Sequence, residues 1–207
     1  MILSAPLALA LLLTARPSSS NNYKMTIEKF GTASAVLKTS FGSDDSRKEM
    51  LRITLKQGLS VVQESTYNSK GAATRKTQFG YQNGKEISSS VTIISGRKAV
   101  MTSITAGQKS TNTFTAPKNA SIENASHWWF IKNKPKVGDS VTYYEFAAEK
   151  KAWELDKIKY MGKKPIKVSG KNLMLHEVTS LQGLAYFDDK GTLFMLTFSG
   201  GKMEKVL

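Results

Sequence analysis

With 207 residues and no cysteine, the chain is long enough to bury a core without help from a metal or a disulfide. It cannot use disulfides, thiolate catalysis, cysteine-ligated zinc or iron–sulfur sites, or the cysteine-linked anchor of a bacterial lipoprotein. Thirty Lys and Arg against sixteen Asp and Glu give a formal charge of +14, which suits anionic partners such as phosphate, anionic lipid or acidic polysaccharide, or serves solubility alone.

Only Arg16, Arg47, Arg52, Arg75 and Arg97 are arginines. Lysine recognises phosphate as a point charge rather than through a bidentate fork, so the composition argues against a nucleic-acid reader. Met1 to Thr14 is apolar, with an unbroken Leu/Ala run from Leu7 to Leu13. The run is short of the ~20 residues that span a bilayer. Arg16-Pro17 breaks it, and Ala15, Ser18 and Ser20 offer small residues for cleavage. Residues 1–20 therefore read as a secretory signal peptide, although no Lys or Arg precedes the run; an uncleaved tail or anchor is the other reading. Residues 21–207 are expected to form one antiparallel β domain in the periplasm or outside the cell. Its parts are an N-terminal meander over 23–116, a junction over 117–137 and a C-terminal meander over 138–207.

In the first meander, glycines at 58, 71, 84, 96 and 107 recur every 11 to 13 residues, the length of one strand and its turn. Asn83-Gly84 tolerates the positive φ that a two-residue type I′ hairpin requires. Thr77, Phe79 and Tyr81 share a face before that turn, and Ile87, Val91 and Ile93 share one after it. Leu51, Ile53 and Leu55 alternate with Arg52, Thr54 and Lys56, the pattern of a strand with one wet side. Tyr23 to Phe30 fits a first strand, Ser43 to Ser46 a turn, and the stretch between carries no clear pattern. The region reads as one sheet with an apolar concave face, which must be covered or hold a ligand.

At the junction, Ile122, Ala125, Trp128, Trp129 and Ile131 fall near helical spacing. A short helix or loop within 120–131 is expected to lie across the concave side. Trp128-Trp129-Phe130 reads either as a plug for the core or as a platform for an apolar ligand or a sugar. Lys132, Lys134 and Lys136 flank Pro135, as an anionic contact or as protection of an edge strand.

The C-terminal meander begins with Val141 to Ala148, apolar on both faces: Tyr143 on one, Tyr144 and Phe146 on the other. Trp153 and Leu155 then run in one phase and Ile158 and Tyr160 in the other, which predicts a β-bulge near Asp156-Lys157. Turns are expected at Gly162 to Pro165, Ser169 to Asn172, Asp188 to Gly191 and Ser199 to Lys202. Eleven lysines and five acids lie between Lys132 and Lys171, and Lys163 and Lys164 extend a possible anionic contact.

Chemistry is sparse. His176 neighbours Glu177 on a strand, so the two point to opposite faces, and His127 has only Glu123 at a helical spacing. Neither makes a metal site. There is no nucleophile elbow, P-loop or dinucleotide fingerprint. Asp188-Asp189 reads as a solvated turn, and Glu145, Glu154 and Asp156 are the one set of acids that could converge as a hydrolytic pair. No catalytic residue, metal or cofactor is expected.

Trp129-Phe130, Lys134 to Asp139 and Tyr143 to Phe146 resemble an uncharacterised class of bacterial periplasmic β domains, as do Gly162 to Gly170 and Tyr186 to Gly191. That class is similar in architecture to the lipoprotein-carrier superfamily, whose half-barrels hold acyl chains on the concave face. The resemblance implies an all-β half-barrel or open barrel and an envelope location, and no activity. The expected function is a non-catalytic envelope protein holding an apolar or acyl ligand, with Trp128, Trp129, Phe130, Tyr144 and Phe146 at the ligand. The alternative is a module that grips anionic envelope polymer or membrane through Lys132, Lys134, Lys136, Lys163 and Lys164.

Overall fold

Left-handed turns cut the chain into hairpins. Asn83 and Gly84 take φ of 51° and 78°, as a type I′ turn requires, and Ser169-Gly170 repeats the geometry with 44° and 83°. The computed structural model describes residues 18–28, 31–123, 128–180 and 183–207. These form β1 (Ser19–Ile27), β2 (Gly31–Phe41), β3 (Arg47–Thr54), β4 (Leu59–Tyr67), β5 (Ala73–Gln82), β6 (Lys85–Ser95), β7 (Lys98–Thr105) and β8 (Gln108–Thr115). The helix α1 (Trp128–Asn133) follows, then β9 (Ser140–Ala147), β10 (Ala152–Val168), β11 (Lys171–Ser180), β12 (Gly183–Phe187), β13 (Leu193–Phe198) and β14 (Gly201–Lys205). Most of the predicted leader lies outside the described residues, as does His127; Ser19 and Ser20 open β1 opposite Thr39 and Lys38.

The fold is all-β: one large curved antiparallel sheet with a short helix on its concave side. Both meanders run outward from a central seam, where β1 pairs with β14 and Met25 faces Met203. The strand order is β8-β7-β6-β5-β4-β3-β2-β1-β14-β13-β12-β11-β10-β9, so β8 and β9 are the two edges.

Register identifies the concave face. Tyr23, Met25, Ala33, Ala35 and Met203 make a buried cluster at the central seam. Toward one edge the same face continues through Leu51, Gln63, Gln78 and Ser90, and then through Ile94, Ala99 and Phe114. Toward the other it runs through Leu196, Ala185, Val178 and Tyr160, and reaches Ile158, Asp156, Tyr143 and Glu145 on the last two strands.

Phe146 and Trp153 point to the opposite side of β9 and β10, yet not toward water. Phe146 is fully buried among Ile94, Ala99 and Met101. Its ring lies 5.1 Å from Phe114 and 5.8 Å from Trp153. The last two strands have slid inside the first edge, and the sheet rolls up like a scroll. The overlap is closed by apolar side chains, with no ladder between β8 and β9 among the described residues. Burying a phenylalanine in this way contributes about 1.5–3 kcal/mol.

The scroll accounts for several departures from the sequence expectations. β9 is apolar on both faces because one covers the interior and the other the overlap. The change of phase on β10 needs no bulge at Asp156-Lys157: pairing with β9 is unbroken from Ala152 to Lys159. The register shift falls instead between Tyr160 and Gly162, where Gly162 takes φ of 94°. The chain does not turn at Gly162 to Pro165. β10 runs on to Val168, and Pro165 is tolerated because β9 ends its pairing at Lys159, which leaves that side of β10 without a ladder. β2 forms where no pattern was evident. On β6, Ile87 and Ile93 are half exposed, while Thr92 and Ile94 are buried beneath the overlap.

The arm of β10 and β11 beyond the bulge folds back over the convex side. Its tip, Ser169, donates its backbone N–H to Glu204 Oε1 at 2.5 Å and its hydroxyl to the Lys205 carbonyl at 2.8 Å. Val168 and Leu175 of the arm are buried against Tyr186, beside Phe194 and Met195.

Candidate functional site

The rolled sheet forms a half-open cavity of about 1250 Å³, above the roughly 300–1,000 Å³ of ordinary small-molecule pockets. Its apolar wall is built around the central seam by Tyr23, Leu37, Leu51 and Leu196, and is continued by Ile158 and Phe187. Tyr23 is anchored by donating its hydroxyl to the Leu193 carbonyl at 2.9 Å. Burial pushes its phenol far above the usual range, with Asp188 and Glu49 adding to the shift.

The opposite wall is polar. Glu145 and Glu154 stand directly across from each other in the β9–β10 ladder, and Tyr143 stands across from Asp156. Tyr143 donates its hydroxyl to Asp156 Oδ2 at 3.2 Å. Like charges placed opposite on one face repel, and here each is compensated. Lys76 reaches from β5 to Glu145 Oε1 at 2.7 Å and donates to the Phe146 carbonyl at 2.9 Å. Lys150 binds Glu154 at 2.7 Å and 2.9 Å.

Beside this wall Arg47 is 2% exposed. Its guanidinium lies over the Tyr67 ring at 4.5 Å, and Nε is 3.6 Å from Glu49 Oε1. Burial drives the Tyr67 phenol far upward; Glu145 and Glu49 add to the shift, and Arg47 opposes it.

The residues singled out in the sequence fall in separate places. Trp129 and Phe130 are buried with Tyr67, Tyr143, Tyr160 and Phe187, where α1 plugs the interior. They pack beside the cavity and do not line it. Phe146 borders the cavity but is committed to the overlap, which Tyr144 also faces. For Trp128 and Lys132 only the helical backbone is described. Lys134 and Lys136 are exposed in the loop before β9. Lys163 and Lys164 point to opposite sides of β10 and are engaged: Lys163 with Asp189 at 2.7 Å, Lys164 with Glu177 at 2.6 Å.

His176 and Asp189, thirteen residues apart, meet at 2.7 Å through Nε2, because pairing of His176 with Phe187 brings the following turn alongside. Nδ1 lies 2.8 Å from the Tyr160 hydroxyl, and the Phe130 ring packs at 4.8 Å. Lys163, and after it His176, hold the Asp189 carboxyl below its usual range. Among the described residues no group of three or more His, Asp or Glu is placed to hold a metal.

Of the polar wall, only Glu145, Glu154 and Asp156 were marked by the sequence. Lys76, Arg47 and Glu49 were missed: alternation places them on a strand face, but the overlap that brings β5 to β9 is a long-range event.

No protein-family model matches the chain, and no curated protein does. Among solved structures, the crystal structure of a β-barrel-like protein of domain of unknown function DUF1849 from Brucella abortus is similar, with a TM-score of 0.52. The match covers 92% of this chain and 95% of that one at 11% identity. At that identity the likeness is one of fold.

Proposed function

We propose that the protein is a non-catalytic envelope protein, exported through its apolar leader, that holds an apolar or acyl ligand inside the rolled sheet. The observation that carries this reading is the cavity of about 1250 Å³ with one continuous apolar wall. A chain laid against Tyr23, Leu37, Leu51 and Leu196 would remove from water a surface that is otherwise costly to expose. The resemblance of Trp129-Phe130 and Lys134 to Asp139 to periplasmic β domains supports the envelope location in this reading and bears on no ligand. Catalysis has less support, since Glu145 and Glu154 are each ion-paired with a lysine and no histidine lines the cavity among the described residues. An anionic polymer grip through Lys163 and Lys164 is weakened by their carboxylate partners.

The test is native mass spectrometry of protein purified from its own host, followed by titration of the stripped protein with dodecyl-chain amphiphiles. A copurified lipid, or saturable uptake of a chain that tracks the folded state, is the expected result. A bare polypeptide mass together with no uptake of any chain would overturn the proposal.

A further inference from the structure

Resting on that reading, we infer that the cavity selects amphiphiles whose head donates hydrogen bonds and carries no negative charge, and discriminates against free carboxylate heads. The protein as a whole is strongly basic, with a formal charge of +14, so a fatty-acid carboxylate would be the intuitive guest. The lining is built the other way. Glu49, Glu64, Glu145, Glu149, Glu154 and Asp156 border the cavity, against Lys76, Lys150 and Lys190.

Two of those three lysines are already engaged. Lys76 gives its ammonium to Glu145 and to the Phe146 carbonyl, and both partners of the ion pair are more than four-fifths buried. Lys150 is bound to both oxygens of Glu154. Arg47 lies behind the lining, face-on to Tyr67 and near Glu49. Lys190 sits in the exposed turn before β13, where water and salt leave a single charge little pull. In the buried part of the wall a carboxylate head would have to break the Lys76–Glu145 pair to find a cation, and the exposed Lys150 and Lys190 are screened by water. An ammonium or hydroxyl head would meet Glu145 and Glu154, whose carboxylates keep lone pairs after each has bound its lysine. The field at the buried part of this concave wall, around Glu145 and Asp156, is set by the nearest groups, whereas exposed surface lysines beyond about 8 Å are screened at physiological salt.

The test compares three twelve-carbon probes, each below its micelle concentration: dodecylamine, glycerol monolaurate and laurate, titrated into the stripped full-length protein. Wild type is expected to bind the amine and the glyceride about tenfold or more tighter than laurate, the ratio given by one charge-assisted hydrogen bond gained or lost. Glu145→Gln releases Lys76 and should tighten laurate about tenfold, removing most of its disadvantage. Equal binding of all three probes would leave the carrier reading standing and overturn the head-group inference. Laurate as the tightest guest of wild type would also overturn it, whether or not the variant folds. If no probe binds, both readings fall.

Discussion

Phe114 on β8 and Phe146 on β9 pack with ring centroids 5.1 Å apart and planes tilted by 38°, and they belong to the two strands that end the sheet at opposite edges. The indole N–H of Trp153 donates to the carbonyl of the same Phe114 at 3.4 Å. Closure therefore depends on side-chain packing between overlapping ends, where a true barrel would use a hydrogen-bonded ladder. Phe146→Ala leaves a cavity under Ile94 and Ala99 and is expected to cost about 3–5 kcal/mol. Urea denaturation measures this; a loss below about 1 kcal/mol would show that the overlap is not a structural closure.

Lys76 and Glu145 tie β5 to β9 across the same overlap at 2.7 Å, with side chains 19% and 18% exposed. Removing one partner leaves the other charge in a poorly solvated place, whereas removing both leaves only packing to repair. Lys76→Met and Glu145→Gln should each destabilise, and the double variant should cost less than their sum. The coupling is expected at roughly 1–3 kcal/mol in a double-mutant cycle. An additive result would mean that the pair does not hold the layers together.

Much of the fold was legible because turns and alternation are local. The Asn83-Gly84 and Ser169-Gly170 hairpins follow from two adjacent residues that accept positive φ. The sequence showed apolar residues on both faces of β9, Tyr143 on one and Tyr144 and Phe146 on the other, without saying that both are covered. What covered β9 was not legible. Ala33 and Ala35 on β2 are too small to signal a buried strand, although they are 5% and 2% exposed against Met25 and Tyr23. The bulge moved from Asp156 to Gly162 because the phase change on β10 records two different neighbours rather than an extra residue. Lys76, Arg47 and His176 gained their roles only when strands distant in sequence were rolled together.

Gly183 has no room for a side chain. It takes φ of 145°, and an added Cβ would fall 1.8 Å from the Thr197 carbonyl oxygen, inside the β12–β13 ladder. At Gly107, with φ of 79°, an added Cβ meets nothing within 4 Å. Gly107→Ala should cost about 1–2 kcal/mol of left-handed strain, while Gly183→Ala must also displace a strand and should lose several times that. Thermal denaturation of the two variants checks the order, and similar losses would contradict the close approach.

Tyr23 and Tyr67 bear on behaviour in alkali. Both phenols are raised, chiefly by burial. A phenol ionises near pH 10 in the unfolded chain, so stability is intact below that pH. Above it the unfolded state loses protons that the folded state keeps, and stability falls by at most about 1.4 kcal/mol per pH unit for each tyrosine. Tyr67→Phe and Tyr23→Phe should each reduce this slope between about pH 10 and the alkaline unfolding point. Ultraviolet titration should show at least two of the seven tyrosines ionising only as the protein unfolds. Seven phenols titrating together before unfolding would refute the burial of both rings.

Glu204 links the folded-back tip of the β10–β11 arm to the central seam. It accepts the Ser169 N–H and pairs with Lys202, each at 2.5 Å. Its carboxyl is held below the usual range, first by Lys202 and then by the Ser169 backbone. A carboxyl depressed in the folded state contributes stability that is complete above its unfolded value, near pH 4.3, and is lost as pH falls through the lower folded value. Wild type should therefore show a loss of melting temperature below about pH 4 that Glu204→Gln makes shallower, while the variant melts lower at neutral pH. Because the link fastens the arm that buries Val168 and Leu175 against Tyr186, hydrogen exchange in 166–175 should also quicken in the variant at neutral pH. If the acid limb is unchanged and exchange is unaffected, the arm is held by its buried apolar side chains alone, and the carboxylate does not fasten the tip.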